Sequence, residues 1–208
     1  MRITAKNLSK RFNREWIFKN LNYQFTSPAT YAIIGPNGSG KSTLLQVLWG
    51  QMMPSEGSVV YEMNEKEIAQ PDFFKYASIA TPYMDLIDEF TLEEMMDFHF
   101  SFKEIRDNKS IEEVIERTGL GHARHKTISN FSSGMRQRLK LGLAFNSRCH
   151  ALFLDEPTTN LDIKAIDWYN ENLAMVPDET VVFIASNQEH EYPADAQKLD
   201  IMTFKKGY

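Results

Sequence analysis

The chain has 208 residues and a net charge of −5, which suits one α/β domain or a small domain carrying an inserted subdomain. With 42% hydrophobic and 25% charged residues, its composition is that of a globular, water-soluble protein. The acidic balance argues against a general nucleic-acid binder, which usually presents a basic surface. No apolar run approaches the roughly 20 residues that a membrane span requires, so we expect no transmembrane helix.

The N-terminal and cysteine patterns indicate a reducing compartment. Residues 1–6 carry charge without a following apolar segment, so we expect no secretory signal. Cys149 is the single cysteine of the sequence and can form no internal disulfide. Because it precedes an apolar strand, we interpret it as a buried small residue rather than a nucleophile.

The first part of the chain is typical of strands arranged around one helix. Short alternations of apolar and polar residues over 2–34 predict a small antiparallel sheet leading into a buried strand at 31–34. A helix is predicted at 42–48, with further strands at 57–61 and 76–80.

The rest of the chain is predicted to alternate helices with strands. Residues 85–120 form a helical pattern that is rich in acids, methionines and aromatics, and we interpret the acids as a solvated face. Further elements are a helix at 132–145, strands at 151–154, 180–184 and 201–204, and a helix from about Ile163. This alternation predicts an α/β fold whose parallel sheet is covered by helices.

A phosphate-binding loop is the most specific motif of the sequence. Between a buried strand and a helix, the chain reads Gly35, Pro36, Asn37, Gly38, Ser39, Gly40, Lys41, Ser42 and Thr43. The glycines let successive backbone N–H groups converge on phosphate oxygens, and the helix start adds its own free N–H groups. Lys41 is expected to reach the β- and γ-phosphates, and the Ser42 hydroxyl to ligate Mg²⁺. We therefore predict that the chain binds a nucleoside triphosphate.

Two acids follow the apolar strand at 151–154. The carboxyl ends of parallel strands gather ligands, so Asp155 and Glu156 are expected beside the phosphate loop. An acidic pair after a strand is often only a helix cap, but the loop upstream favours catalysis. We expect Asp155 to hold the Mg²⁺ shell, and Glu156 to polarise the water that attacks the γ-phosphate.

A third motif lies at the start of the helix at 132–145. Ser132, Ser133 and Gly134 offer a hydroxyl and open backbone N–H groups, although alone they would read as an ordinary serine cap. Together with Arg138 and the Pro157–Asp162 segment, these motifs resemble the ATP-binding-cassette ATPases over nearly the whole chain. Their order and spacing match that family.

The resemblance carries several implications for fold and site. It implies one cassette over 1–208, a P-loop NTPase fold with a parallel core sheet, an antiparallel β-subdomain and a helical insert. The core and β-subdomain would cover about 1–84 and 146–208, and the insert about 85–145. Ser132–Gly134 would match the family signature and face ATP held by a second cassette. Phe12 would stack on adenine, with a buried place in the first sheet as the alternative for this aromatic.

The sequence also departs from the family pattern at two positions. Thr81 stands near the usual Gln, where its hydroxyl is expected in the metal shell. Asn187 stands at the usual switch His, and His190 is a less favoured substitute. Asn can donate to a γ-phosphate oxygen but carries no charge. We therefore expect hydrolysis of ATP to be slow, with Lys41, Glu156 and Asn187 as the catalytic residues.

The resemblance implies the function of an ATPase subunit of a membrane transporter. It would use ATP and Mg²⁺, pair head to tail with a second copy or a related cassette, and dock on a separate transmembrane permease, with no direct contact to nucleic acid. Its expected location is the cytoplasm, on the cytoplasmic face of the membrane. The alternatives are a degenerate cassette that binds ATP with little turnover and a soluble cassette protein without a transport role.

Overall fold

The structure is a computed structural model that describes residues 1–205. The strands are β1 (Arg2–Phe12), β2 (Glu15–Thr26), β3 (Ala29–Ile34), β4 (Glu56–Met63), β5 (Lys66–Ile68), β6 (Ala77–Ala80), β7 (Ala151–Asp155), β8 (Val181–Ala185) and β9 (Gln197–Asp200). The α-helices are α1 (Lys41–Leu48), α2 (Leu92–Phe100), α3 (Ile111–Thr118), α4 (Ser133–Asn146) and α5 (Ile163–Ala174).

The chain divides into two compact units. The first comprises Met1–Ala77, His150–Glu156 and the residues from Pro177 onward, and the second comprises Ser78–Cys149 and Pro157–Val176. The domain limits expected from the sequence stay a prediction.

The first unit contains an antiparallel and a parallel sheet. The antiparallel strands lie in the order β2-β1-β4-β5. In the parallel sheet β8 pairs with both β3 and β7, and β3 pairs with β9 on its other side. All five residues of β8 are buried, which explains why this strand is a continuous apolar run instead of an alternating one. The α/β architecture predicted from the sequence is confirmed.

An aromatic core fills the first unit. Phe153 of β7 stacks on Phe183 of β8, with ring centroids 4.7 Å apart and planes at 3°. Phe25 of β2 meets Phe183 edge-on at 5.0 Å and Tyr31 at 4.9 Å. Burying such rings supplies much of the apolar area on which folding depends. This core packs against β3, β7 and β8, whose parallel pairing places their carboxyl ends at one edge of the sheet.

The second unit is mainly helical and has its own apolar core. Helices α2 and α3 each begin with a capping box, Thr91 with Glu94 and Ser110 with Glu113, which satisfies N–H groups at both helix starts. Their apolar faces pack with α4 around fully buried side chains, which include Leu92, Met96, Val114, Ile128 and Leu139.

One predicted element is wrong. The apolar run at 201–204 was expected to be a strand, but Ile201–Phe204 forms a 3₁₀ turn, and the strand is the preceding β9. Three of the four β9 residues are exposed, so the strand shows no apolar pattern, while Ile201 is fully buried. The apolar residues at 201–204 therefore reflect burial of the turn and do not indicate a strand.

Candidate nucleotide-binding site

The phosphate loop connects β3 to α1 in the first unit, and Ile17 and Ile201 pack against its glycines. Gly40 has φ of 105°, a left-handed conformation that favours glycine. A Cβ at Gly40 would lie 2.1 Å from Cγ2 of Ile17, and one at Gly35 would lie 2.9 Å from Cγ2 of Ile201. Any larger residue at either position would therefore displace the loop.

The polar side chains of the loop are arranged for an anion. Ser39 is 2% exposed, and within residues 1–205 its hydroxyl has no hydrogen-bond partner. Leaving such a group unpaired costs about 1–3 kcal/mol, which a phosphate oxygen would relieve. Lys41 is buried, and its Nζ donates to the carbonyl oxygens of Gly35 at 2.9 Å and Pro36 at 3.2 Å. Its ammonium group is thus held within the loop.

Ser42 and Asp155 lie together at the edge of the parallel sheet. The Ser42 hydroxyl donates to Oδ1 of Asp155 at 3.0 Å, and Asp155 is 1% exposed. Burial raises the pKa of the Asp155 carboxyl to about 6, and the negative charge of Glu156 acts in the same direction, while the Ser42 hydrogen bond opposes it. Because burial disfavours the charged form of Asp155, a cation beside it would stabilise the carboxylate.

This pair fits Mg²⁺ but does not make a complete metal site. Hydroxyl and carboxylate oxygens are the ligands that Mg²⁺ prefers, and the ion usually keeps several waters and binds substrate phosphates. Among the described residues, no cluster of three or more His, Cys, Asp or Glu side chains forms a metal site. Ser42 and Asp155 would therefore hold Mg²⁺ only together with phosphate and water oxygens.

Glu156 follows β7 directly and has an uncommon backbone conformation. Its φ is 44°, in the left-handed region, and its N–H donates to the carbonyl oxygen of Ala185 at 2.9 Å. Such a conformation is costly for a residue with a Cβ and is often found at functional sites. The β7–β8 pairing fixes Glu156 at the same sheet edge as Asp155. Its role as the catalytic base stays a prediction.

Asn187 reaches the phosphate loop from the end of β8. Its exposed side-chain amide donates to Oδ1 of Asn37 at 3.0 Å. His190, the less favoured substitute for the switch histidine, is exposed on the 3₁₀ turn Glu189–Glu191. The structure thus brings the predicted residue Asn187 to the loop.

Phe12 lies at the end of β1, opposite Glu15 of β2. It is 45% exposed, so the alternative of a buried place in the sheet does not hold. Nζ of Lys10 lies 5.2 Å from the centroid of its ring. An exposed ring of this kind is free to stack on a base, and its contact with adenine stays a prediction.

The predicted signature residues form the wall of a pocket in the second unit. Ser132 is the N-cap of α4, and its hydroxyl accepts from the Met135 N–H at 3.2 Å. The pocket has a volume of about 370 Å³, and its lining includes Ser132, Ser133, Gly134, His122, Arg138 and Asp162. A Cβ at Gly134 would lie 2.9 Å from the carbonyl oxygen of Asn160, so glycine is required for this close approach.

Two further contacts hold the segment that lines this pocket, and no local sequence pattern predicts them. Nε2 of the buried Gln137 donates to the carbonyl oxygen of Pro157 at 2.8 Å. Oδ1 of Asp162 accepts from the Ala165 N–H at 2.8 Å and so caps α5. The 157–162 segment is thereby fixed against α4 inside the second unit.

Thr81 belongs to the second unit, whereas Ser42 and Asp155 belong to the first. It is 7% exposed, and its carbonyl oxygen accepts from Nζ of Lys140 at 3.3 Å. Its expected place in the metal shell stays a prediction. Within the described part of the chain, no helix is long and apolar enough to cross a membrane.

The family model for ABC transporters matches residues 18–159, which is more than half of the chain. The chain belongs to the ABC transporter family. The resemblance drawn from the sequence motifs is thereby confirmed, and members of this ATPase family bind ATP, typically with Mg²⁺.

Relatives of this ABC protein extend over most of its length. An uncharacterized ABC transporter ATP-binding protein, YybJ of Bacillus subtilis, is 29% identical over 191 residues, covering 91% of this chain and 86% of its own. The lantibiotic transport ATP-binding protein SrtF of Streptococcus pyogenes is 29% identical over 201 residues, covering 93% of this chain and 84% of its own.

A solved structure shows the same ABC fold. The putative ABC transporter ATP-binding protein from Pyrococcus furiosus superimposes with a TM-score of 0.81 at 15% identity, covering 98% of this chain and 99% of its own. At this identity the likeness speaks for the fold alone. The predicted P-loop cassette fold is confirmed.

Proposed function

We propose that this chain is the ATP-hydrolysing subunit of a membrane transporter and that it works as a head-to-tail dimer of cassettes. The contact between Ser42 and Asp155 beside the phosphate loop carries the proposal, because it offers two oxygen ligands to Mg²⁺, to which phosphate and water oxygens would be added. Bound Mg²⁺ would neutralise charge on the β- and γ-phosphates. Membership of the ABC family and the lantibiotic transport relative support the transporter role.

In the proposed reaction, the chain's own groups position the triphosphate and activate water. The Lys41 ammonium and the Ser39 hydroxyl bind phosphate oxygens, with Lys41 exchanging its contacts to Gly35 and Pro36 for the substrate. Glu156 accepts a proton from the attacking water, and Asn187 donates to the γ-phosphate through its amide. Because Asn187 lacks the charge of the usual His, and Thr81 lacks the amide of the usual Gln, we propose that turnover is slow.

The role of Glu156 is tested by steady-state hydrolysis of ATP with Mg²⁺. Glu156→Gln keeps the shape of the side chain but removes the base, so the rate should fall about 100-fold or more. Glu179→Gln is the matched control, since Glu179 is an exposed acid of the same unit, and it should keep the native rate. Equal rates for the native chain and Glu156→Gln would show that Glu156 is not the base.

Head-to-tail pairing is tested by mixing two inactive variants. Lys41→Ala damages the phosphate loop and Ser132→Arg blocks the signature pocket, so each variant alone should be inactive. In a mixed dimer, one composite site takes its loop from one subunit and its signature from the other, and it is intact. A 1:1 mixture should then recover about a quarter of the native rate. A mixture as inactive as its components would contradict a shared site.

We also propose that the second unit docks on a separate membrane protein, which places the chain on the cytoplasmic face of the membrane. Its exposed aromatics include Tyr83 at 76% and Phe102 at 71%, and Phe98 packs edge-on against Phe102 at 5.3 Å. Exposed aromatics of this kind suit a partner surface.

Co-purification with a multi-span protein from detergent-solubilised membranes tests the membrane partner. Phe102→Ser should abolish it, whereas Phe74→Ser, which alters an exposed aromatic of the first unit, should not.

Retention of ATP binding without measurable turnover would instead support a degenerate cassette. Turnover without any membrane partner would support a soluble ABC protein.

A further inference from the structure

A buried carboxylate lies beneath the loop that carries Asn187. Glu191 is 1% exposed and Ser186 is fully buried, an unusual setting for an acid unless it has a structural or functional task. The hydroxyl of Ser186 donates a hydrogen bond to Oε2 of Glu191. Hydrogen bonds to a carboxylate are among the stronger ones in proteins, so this contact can fix the loop.

The contacts of Ser186 connect this carboxylate to the parallel sheet. Ser186 follows β8 directly, and its N–H donates to the carbonyl oxygen of Ile33 in β3 at 3.1 Å. Its hydroxyl also accepts from the Gln188 N–H at 2.8 Å. The Glu191 N–H in turn donates to the carbonyl oxygen of Gln188 at 3.2 Å. The segment 186–191 is thus a closed loop whose base is joined to the strand that leads into the phosphate loop.

Asn187 is the exposed residue of this closed loop that faces the phosphate loop. Its amide donates to Oδ1 of Asn37 at 3.0 Å, although an exposed hydrogen bond alone stabilises a side chain only weakly. The orientation of Asn187 therefore depends on the backbone below it. That backbone is held by Ser186, and Ser186 is held by Glu191.

We propose that Glu191 is a positioning residue for Asn187, acting through Ser186 to aim the Asn187 amide at the γ-phosphate. The inference rests on the proposed function, since it assumes that Asn187 meets the terminal phosphate. It assigns a task to a buried acid that has no role in the proposed reaction, although its charge also acts on Asp155.

The test compares Glu191→Ala, Glu191→Gln, Asn187→Ala and the double variant Glu191→Ala/Asn187→Ala. The main readout is the preference for ATP over ADP, measured with fluorescent MANT-ATP and MANT-ADP in the presence of Mg²⁺, because this needs no turnover. Glu191→Ala and Asn187→Ala should each lower the preference by the same factor, about fivefold to tenfold for one polar contact. The double variant should lower it no further, because both changes remove one contact.

Glu191→Gln separates positioning from charge. Its amide oxygen can still accept the Ser186 proton, so the preference should stay within about twofold of native. Ser186→Ala is a smaller change that breaks the same connection, so it should show the loss expected of Glu191→Ala and tests the inference even if Glu191→Ala does not fold. Thermal unfolding of each variant shows whether it is folded at the assay temperature.

Two results would overturn the inference. One is a native preference for ATP in both Ser186→Ala and Glu191→Ala, and the other is a double variant whose loss is the product of the single losses. A native chain that prefers ATP but hydrolyses none would contradict the proposed ATPase activity alone, since the preference reports the Asn187 contact without catalysis.

Discussion

Nζ of Lys140 donates to the carbonyl oxygen of Pro82 at 2.8 Å. The same ammonium reaches the carbonyl oxygen of Thr81 at 3.3 Å, and one turn earlier on α4 Arg136 donates to Oδ1 of Asp88 at 2.7 Å. Two side chains of α4, the helix capped by Ser132, therefore hold both ends of the 81–88 loop. These contacts join the loop to α4 inside the second unit.

We predict that Lys140→Met loosens the 81–88 loop. The change removes two hydrogen bonds from a charged donor, which together stabilise the loop by about 1–2 kcal/mol. Local opening should then become about fivefold to thirtyfold more frequent, because each 1.4 kcal/mol corresponds to a factor of ten. Hydrogen exchange of the amides at 84–88, followed by mass spectrometry, measures this effect.

Lys164→Met is the control for Lys140→Met. Lys164 is an exposed lysine on α5 of the same unit, and its replacement removes the same charge. Exchange in the 81–88 loop should be unchanged in this variant. If Lys140→Met also exchanges at the native rate, the lysine does not hold the loop.

We predict that Asn187→His accelerates hydrolysis of ATP. Asn187 already reaches the phosphate loop, and an imidazole at the same position can donate to the γ-phosphate with a positive charge. One well-placed donor to developing charge contributes about 100-fold, and imperfect placement should still give about tenfold. The measurement is kcat with Mg²⁺ and saturating ATP. Gln188→His, at the exposed neighbouring position, should leave kcat unchanged, and a gain in both variants would refute a specific role of position 187.

We predict that Asp155→Asn stabilises the chain at pH 7 when Mg²⁺ and nucleotide are absent. Burial raises the pKa of Asp155 from 3.8 to about 6. The stability associated with this carboxyl is fully present below the unfolded pKa and is lost as the pH rises through the folded one. Removing the charge should therefore raise the free energy of unfolding at pH 7 by about 2–3 kcal/mol, since one pKa unit corresponds to about 1.36 kcal/mol.

The pH dependence provides the decisive comparison for Asp155→Asn. The difference in free energy of unfolding between the variant and the native chain, measured with urea, should shrink between pH 7 and pH 4. Asp195→Asn removes an exposed acid of the same unit and should show little difference at either pH. A difference that grows as the pH falls would mean that the carboxyl stabilises the fold.

We predict that Gly142→Ala destabilises the second unit despite the higher helix propensity of alanine. A Cβ at Gly142 in α4 would lie 2.4 Å from Cγ2 of the buried Thr118 in α3. Such overpacking costs about 1–3 kcal/mol. Thr118→Ser removes the methyl group but keeps the hydroxyl that donates to the carbonyl oxygen of Ile115.

The double variant Gly142→Ala/Thr118→Ser should therefore recover most of the lost stability in thermal denaturation. Thr118→Ser alone serves as the reference for the double variant. Gly38→Ala cannot serve as a control, because Gly38 has a left-handed backbone that alanine would strain. A double variant as unstable as the sum of both single variants would show that the close contact is not the cause.

Sequence reasoning succeeded where the determining interactions are local. The phosphate loop, the all-apolar β8 and the helix after Ser132 are each defined by residues within one short window, and the structure contains all three elements. The failure at Ile201–Phe204 has a physical cause, since an exposed edge strand such as β9 shows no apolar pattern. An apolar pattern reports burial, and here the buried residue lies on a turn.

The contacts that support the site could not be predicted, because they join residues far apart in the chain. Nothing near Ile17 indicates that it limits the space at Gly40, and nothing near Lys140 indicates the carbonyl oxygens of residues 81 and 82 as its partners. In the sequence, Glu191 is one of several acids in a polar segment that would be expected to be exposed. Only the folded chain shows that it is buried against Ser186.

The two isoleucines behind the phosphate loop have a consequence for the heat of nucleotide binding. Ile17 lies close behind Gly40 and Ile201 close behind Gly35, so we expect the loop to keep this shape whether or not a ligand is bound. Binding to a preformed polar cradle buries little new apolar surface and orders few residues. The enthalpy with which an isolated chain binds the triphosphate group should therefore change little with temperature, in contrast to a site that folds around its ligand.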